Sequence, residues 1–301
     1  MTGVGRRRLL PPLLAGFMLL LGSGCSVQMA YNNLDRLARW SISDYIDMTT
    51  DQRGYFDGAL DELWYWHRRN HLPEYATFLE SLGPRFLDGT TEAEMQAVVD
   101  QVFVWGAEVQ ARGMPVAAEL LGSLSDAQVA ELADKLEARN VEIAEPEADL
   151  TREQAQKQWS EEFADRFSQF SGRLSGVQRA YLRQRAVSYA PDLVMWADYR
   201  RRWQKDFLAL LEFRQDVDGL EVGLSQLTDN RERYFSPELA LADAQNVALY
   251  REVSVWLINS LTERQQARFV ESLNDLADDF RTLAQQERGA PDGAPPCLMR
   301  C

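Results

Sequence analysis

The chain has 301 residues, with 32 Lys and Arg against 46 Asp and Glu, giving a net charge of −14. That excess of acid argues against general nucleic-acid binding, because a phosphate backbone demands a positive surface. With 46% hydrophobic residues and eight tryptophans, the chain can bury a substantial core and is no disordered stalk.

At the N-terminus, Arg6, Arg7 and Arg8 precede an apolar run from Leu9 to Leu21, which ends in small residues and then Cys25. A basic start, a short apolar run and a small-residue cut site make a secretory signal over residues 1–24. The run is too short for a bilayer, which needs about 20 apolar residues, and Pro11 and Pro12 interrupt it. A cysteine directly after the cut resembles the bacterial lipobox, whose thiol receives a diacylglyceryl group before cleavage; palmitate is among the acyl chains expected. Gly22 stands where that motif usually has leucine, with Leu21 one further back. Gly22 and Gly24 also suit an ordinary signal peptidase. Cleavage before Cys25 would leave 277 residues with a net charge of −17.

Beyond the signal, the apolar period is helical. The only histidines, His67 and His71, lie four apart on the face that carries Phe56, Leu60 and Leu63. A zinc site needs at least a third protein ligand, so the pair reads as structural and no metal is assigned. Met95, Val98, Val102, Gly106 and Val109 trace a stripe, as do Trp159, Phe163, Phe167, Phe170 and Leu174. Trp196, Tyr199, Trp203, Phe207 and Leu210 trace another, and Phe269, Leu273, Leu276, Phe280 and Leu283 step like a coiled-coil seam. Val253 to Trp256 could be a strand alone but lies in a helical window. Pro73, Pro84, Pro115, Pro146, Pro191 and Pro237 are expected at breaks or starts of helices. Ser236-Pro237-Glu238 is a good helix opening.

A start signal recurs at Met48-Thr49-Thr50-Asp51-Gln52, Leu124-Ser125, Leu150-Thr151, Leu174-Ser175 and Leu261-Thr262, each with glutamine three residues after the hydroxyl. This is a capping box: the hydroxyl accepts from the third amide, and the glutamine reaches back. Leu227-Thr228 is a degenerate sixth copy. The expected architecture is all-α, an elongated multi-helix bundle of helical hairpins following a cleaved signal peptide. The acidic, proline-broken stretch 145–149 divides an N-terminal helical part (25–145) from a C-terminal one (146–288), the two read as continuous. Residues 289–301 form a flexible tail. There Cys297 and Cys301 are an even pair that could close a small disulfide loop or remain free thiols.

Motifs for nucleophilic serine, zinc-peptidase or phosphate-loop chemistry are missing, so no catalytic residue and no cofactor is assigned. Arg179, Arg183, Arg185, Arg200, Arg201, Arg202 and Lys205 concentrate positive charge in an acidic protein. They could face lipid phosphates or an acidic envelope partner, or simply form a solvated helix face. Glu80-Ser81 and Glu271-Ser272 resemble the Glu-Ser of lytic transglycosylases, without that family's flanking motifs.

Two wider resemblances rest on particular residues. Cys25 followed by Tyr31-Asn32-Asn33-Leu34-Asp35, Trp66-His67-Arg68 and Leu72-Pro73-Glu74-Tyr75 resembles a family of uncharacterised proteobacterial lipoproteins. That resemblance implies a lipid anchor and a helical body, and Ser26 after the cysteine implies the outer membrane. The repeated starts are similar to the Leu-Thr-x-x-Gln motifs of the Spy and CpxP periplasmic stress chaperones. The expectation is a non-enzymatic outer-membrane lipoprotein. Its N-terminal lipid sits in the membrane, its body faces the periplasm, and its partner is an envelope protein rather than nucleic acid. The alternatives are a chaperone-like stress protein and a peptidoglycan-acting enzyme.

Overall fold

Five helix starts set the architecture, and each is built as its hydroxyl-to-glutamine spacing requires. In the computed structural model, which describes residues 24–144 and 150–286, Thr49 Oγ1 accepts from the Gln52 N–H and Gln52 Oε1 accepts from the Thr49 N–H. The same reciprocal bonds join Ser125 with Gln128, Thr151 with Gln154, Ser175 with Gln178 and Thr262 with Gln265. The leucine or methionine before the cap is buried at Met48, Leu124, Leu174 and Leu261. Among the described residues there are eleven α-helices, one 3-10 turn at Arg231–Tyr234, and no strand. In order, the helices are α1 (Gly24–Tyr31), α2 (Leu34–Tyr45), α3 (Thr50–Leu87), α4 (Glu92–Gly122), α5 (Asp126–Ala144) and α6 (Arg152–Ser171). They continue as α7 (Gly176–Ala186), α8 (Leu193–Leu211), α9 (Val217–Asp229), α10 (Pro237–Asn259) and α11 (Glu263–Gln285).

The expected start at Thr228 is not one. Thr228 closes α9, and its hydroxyl donates back to the Leu224 and Ser225 carbonyls. Arg231 stands where the reciprocal glutamine would be, so no box can form. Thr91 instead supplies an unforeseen box, with Glu94 in the glutamine's role. Ser236 and Pro237 open α10 as expected.

Pro73 and Pro84 lie inside α3 and Pro115 inside α4, not at breaks. An interior proline costs about 3 kcal/mol in an isolated helix. Here Leu72, Ala76 and Leu79 flank Pro73 and are almost fully buried against α11, so tertiary packing outweighs the local penalty. α3 and α11 lie side by side, and the stripe from Phe269 to Leu283 is buried throughout. A second core joins α3, α4, α5, α8 and α9 around Leu60, Ala118 and Leu211. A third gathers α6, α7 and α10 around Trp159, Leu182 and Val253. The stripes beginning at Met95 and Trp196 are only half-buried; each lies on a helix that keeps one side in water. Residues 1–23, 145–149 and 287–301 lie outside the described residues, and with them the signal segment, the expected boundary and the tail.

Four of the five capping glutamines do a second job. Gln178 Nε2 donates to Gln265 Oε1 at 3.1 Å, and Gln265 Nε2 donates to Gln178 Oε1 at 3.0 Å. Each amide also donates to the carbonyl two residues before its partner's cap, Ser260 and Arg173 respectively. Gln52 and Gln128 repeat the arrangement, reaching Ser123 and Asp47. Every donor and acceptor of these amides is therefore used. The starts of α3 and α5 are clasped together, as are those of α7 and α11. Gln178→Ala is expected to cost about 1–3 kcal/mol because it strands buried partners. Gln154→Ala, at an exposed cap with no partner glutamine, should cost under about 1 kcal/mol. Urea titration of both variants checks this, and equal losses would contradict it.

Candidate functional site

The residues that carry the lipoprotein resemblance converge where α1 meets α3 and α11. Val27 and Tyr31, one turn apart, are each 2% exposed and join the core shared by α3 and α11. Gln28 Nε2 donates to Asp279 Oδ1 at 2.8 Å, and Asn32 Nδ2 donates to Gln286 Oε1 at 3.0 Å. Burial pushes the Asp279 carboxyl above its ordinary value, and the bond from Gln28 opposes that shift.

Arg68 is the pin of this junction, only 1% exposed. Its Nη1 donates to the Leu283 carbonyl and to Gln286 Oε1, both at 3.1 Å, and its Nη2 donates to Asn32 Oδ1 at 3.0 Å. The guanidinium also lies 5.1 Å from the centre of the Tyr31 ring. Leu283 belongs to the last turn of α11, where unsatisfied carbonyls give the helix its negative end. A buried cation is thus set against partial negative charge and three acceptors drawn from both termini of the described chain.

Beside it runs a hydrogen-bonded relay. Tyr31 Oη lies 2.8 Å from His67 Nδ1, and His67 Nε2 lies 3.2 Å from Tyr75 Oη. Tyr75 Oη is also 3.2 Å from His71 Nδ1, and His71 Nε2 faces Glu108 Oε2 at 3.5 Å. The two imidazoles stack, with centroids 5.2 Å apart and planes 9° from parallel. Burial, His71 and Arg68 hold the His67 imidazole down to about 3, so it is neutral at pH 7. Burial raises the Tyr31 and Tyr75 hydroxyls above their ordinary range, so both remain donors. Each contact along Tyr31, His67, Tyr75 and His71 joins a hydroxyl to a ring nitrogen, and the direction of donation follows the imidazole tautomers. The relay runs from a half-exposed acid on α4 to the buried face of α1. Trp105 packs over Tyr75 and donates to Glu74 Oε2 at 3.1 Å.

Sequence reasoning placed the histidines on a core-facing stripe, where the structure also puts them, but missed their tyrosine partners. One signal was available: His67, His71 and Tyr75 recur at four-residue spacing. Arg68 likewise sits in register with the buried Leu72, Ala76 and Leu79. Among the described residues, no three His, Cys, Asp or Glu side chains gather as a metal site.

The other singled-out residues lie elsewhere. Cys25 falls in the first turn of α1, while Cys297 and Cys301 lie outside the described residues. No helix among the described residues is long and apolar enough to cross a membrane. The arginines divide between α7, with Arg179, Arg183 and Arg185, and α8, with Arg200, Arg201 and Arg202. Arg185 pairs with Glu252 at 2.6 Å, Arg201 with Glu137 at 3.5 Å, and Arg202 donates to the Asp198 carbonyl. Glu80 is clamped by both guanidinium nitrogens of Arg281, which hold its carboxyl below its ordinary value. That is the reverse of what a general acid needs. Glu271 pairs with Arg268 at 2.7 Å, and Ser272 donates to the Phe170 carbonyl.

No curated protein and no solved structure matches the chain. A family model does match, over residues 44–240, which takes in His67, Arg68, His71, Tyr75 and Glu108. Tyr31, Asn32 and Gln286, which complete the junction, lie outside that range. By this match the chain belongs to DUF6279, a family of unknown function.

Proposed function

We propose that the protein is an outer-membrane lipoprotein, acylated on Cys25, whose helical body lies in the periplasm and serves as a non-enzymatic interaction or structural protein of the envelope. The observation that carries this reading is the abrupt change at the cysteine. Before it stand three arginines, an apolar run and small residues; two residues after it, Val27 is already buried in the body. A leader cleaved before Cys25 would leave all of α1 but Gly24 as the first element of the mature fold. Ser26 in second position favours retention in the outer membrane. The inward engagement of four capping glutamines supports a role for those motifs in stability rather than in holding clients.

Labelled palmitate should enter the wild-type protein in cells and should not enter Cys25→Ser. The labelled protein should fractionate with the outer membrane. Label retained in the serine variant would overturn acylation at Cys25, and recovery in the inner membrane would overturn the sorting.

A further inference from the structure

Resting on that reading, we infer that the exposed side of α1 and α2 lies on the phospholipid surface beside the acyl anchor and forms a second, non-covalent attachment through Met29, Leu37 and Trp40. The first argument is slack. Only Ser26 separates the proposed acylation residue from the buried Val27, and a helix advances about 1.5 Å per residue. α1 is further fixed by the bonds of Gln28 to Asp279 and of Asn32 to Gln286 and Arg68. A body held so close to its anchor cannot swing away from the bilayer on a linker. Whatever surface adjoins α1 must face lipid.

The second argument is which surface that is. Met29 is 66% exposed, Leu37 46% and Trp40 62%. Met29 follows Cys25 by one helical turn. Backbone bonds from Asn32 to Gln28 and from Leu37 to Asn33 bring both helices up to a two-residue turn, so Met29 stands one turn short of the start of α2. Within α2 a spacing of three residues keeps Leu37 and Trp40 on one side. The opposite side of α2 is occupied, since Ala38, Ile42 and Tyr45 pack on the second core. Arg39 pairs with Asp57 and Asp61 of α3 and so holds the stripe outward.

Charge gives the third argument. Residues 24–45 contain two acids and two arginines, whereas residues 25–301 together carry −17. An acidic body is repelled by anionic lipid, and its neutral N-terminal segment adds nothing to that repulsion. Tryptophan beside leucine and methionine is the composition that settles at a headgroup boundary.

The test uses full-length acylated protein in phosphatidylethanolamine and phosphatidylglycerol vesicles whose acyl chains carry bromine, a short-range quencher of tryptophan. Wild type should be quenched, and Trp40→Phe should lose most of that quenching. Leu37→Asp, a change at an exposed position, should lose it too while keeping its helicity. Equal quenching in wild type and Trp40→Phe, or full quenching in Leu37→Asp, would overturn the inference while palmitate on Cys25 left the lipoprotein reading standing. Protein without label on Cys25 would overturn both.

Discussion

Arg68→Ala is expected to destabilise the protein by about 3–5 kcal/mol, through stranded acceptors and a residual cavity. The guanidinium donates to three groups from opposite ends of the described chain: Asn32 after α1, Gln286 after α11, and the carbonyl of Leu283 in the last turn. Its removal takes a donor from each of these acceptors at a site where the arginine itself is almost fully buried. Arg68→Met keeps much of the side-chain volume but none of the donors, so it should recover the packing share of the loss and no more. Urea unfolding gives the magnitude, and limited proteolysis gives the location. If Arg68 fastens α1, cleavage near Asn32 and Asn33 should accelerate in Arg68→Ala before global unfolding begins. A loss under about 1 kcal/mol, in the range of a surface change, or unaltered cleavage, would contradict the assigned role.

How much of this was legible depended on whether a feature was local. A capping box involves residues three apart, so Thr49, Ser125, Thr151, Ser175 and Thr262 could be read directly. The amphipathic seam from Phe269 to Leu283 was legible for the same reason. What escaped was the long-range use of the same side chains. Nothing near Gln178 announces that its amide closes on Gln265, 87 residues away. The prolines failed in the opposite sense, because a sound local rule was overruled by burial of Leu72, Ala76 and Leu79 against a helix distant in sequence.

The junction at α1 shows the same division. Four-residue spacing puts His67, His71 and Tyr75 on one line, but Tyr31 arrives from 36 residues upstream and Glu108 from another helix. The sequence motifs containing Tyr31, Asn32, His67, Arg68 and Tyr75 looked like separate blocks. In three dimensions they are one interlocked set, and the reason is burial of a cation beside an imidazole, that of His67, held neutral. Such a set cannot lose a member without exposing or stranding the others.

That coupling gives the protein an expected sensitivity to acid, and His67 carries it. The folded imidazole titrates at about 3 because burial, His71 and Arg68 oppose its charged form. In the unfolded chain the same group takes its proton near pH 6.5. Between those values the unfolded state binds more protons, so stability rises with pH across the window and is lost progressively as pH falls below about 6.5. Protonation would also put a proton on both ring nitrogens, so that His67 could no longer accept from either tyrosine hydroxyl. His67→Gln retains an acceptor for Tyr31 but cannot titrate. Asp279 and the clamped Glu80 titrate in both proteins alike, so the comparison isolates the imidazole. The stability advantage of wild type over His67→Gln should be constant above about pH 7 and shrink by about 1.4 kcal/mol per pH unit below about pH 6. Urea titrations at successive pH values supply the two profiles. Parallel profiles down to about pH 4 would mean that His67 takes its proton as readily in the folded protein as in the unfolded one, and the buried relay to Tyr31 would be refuted.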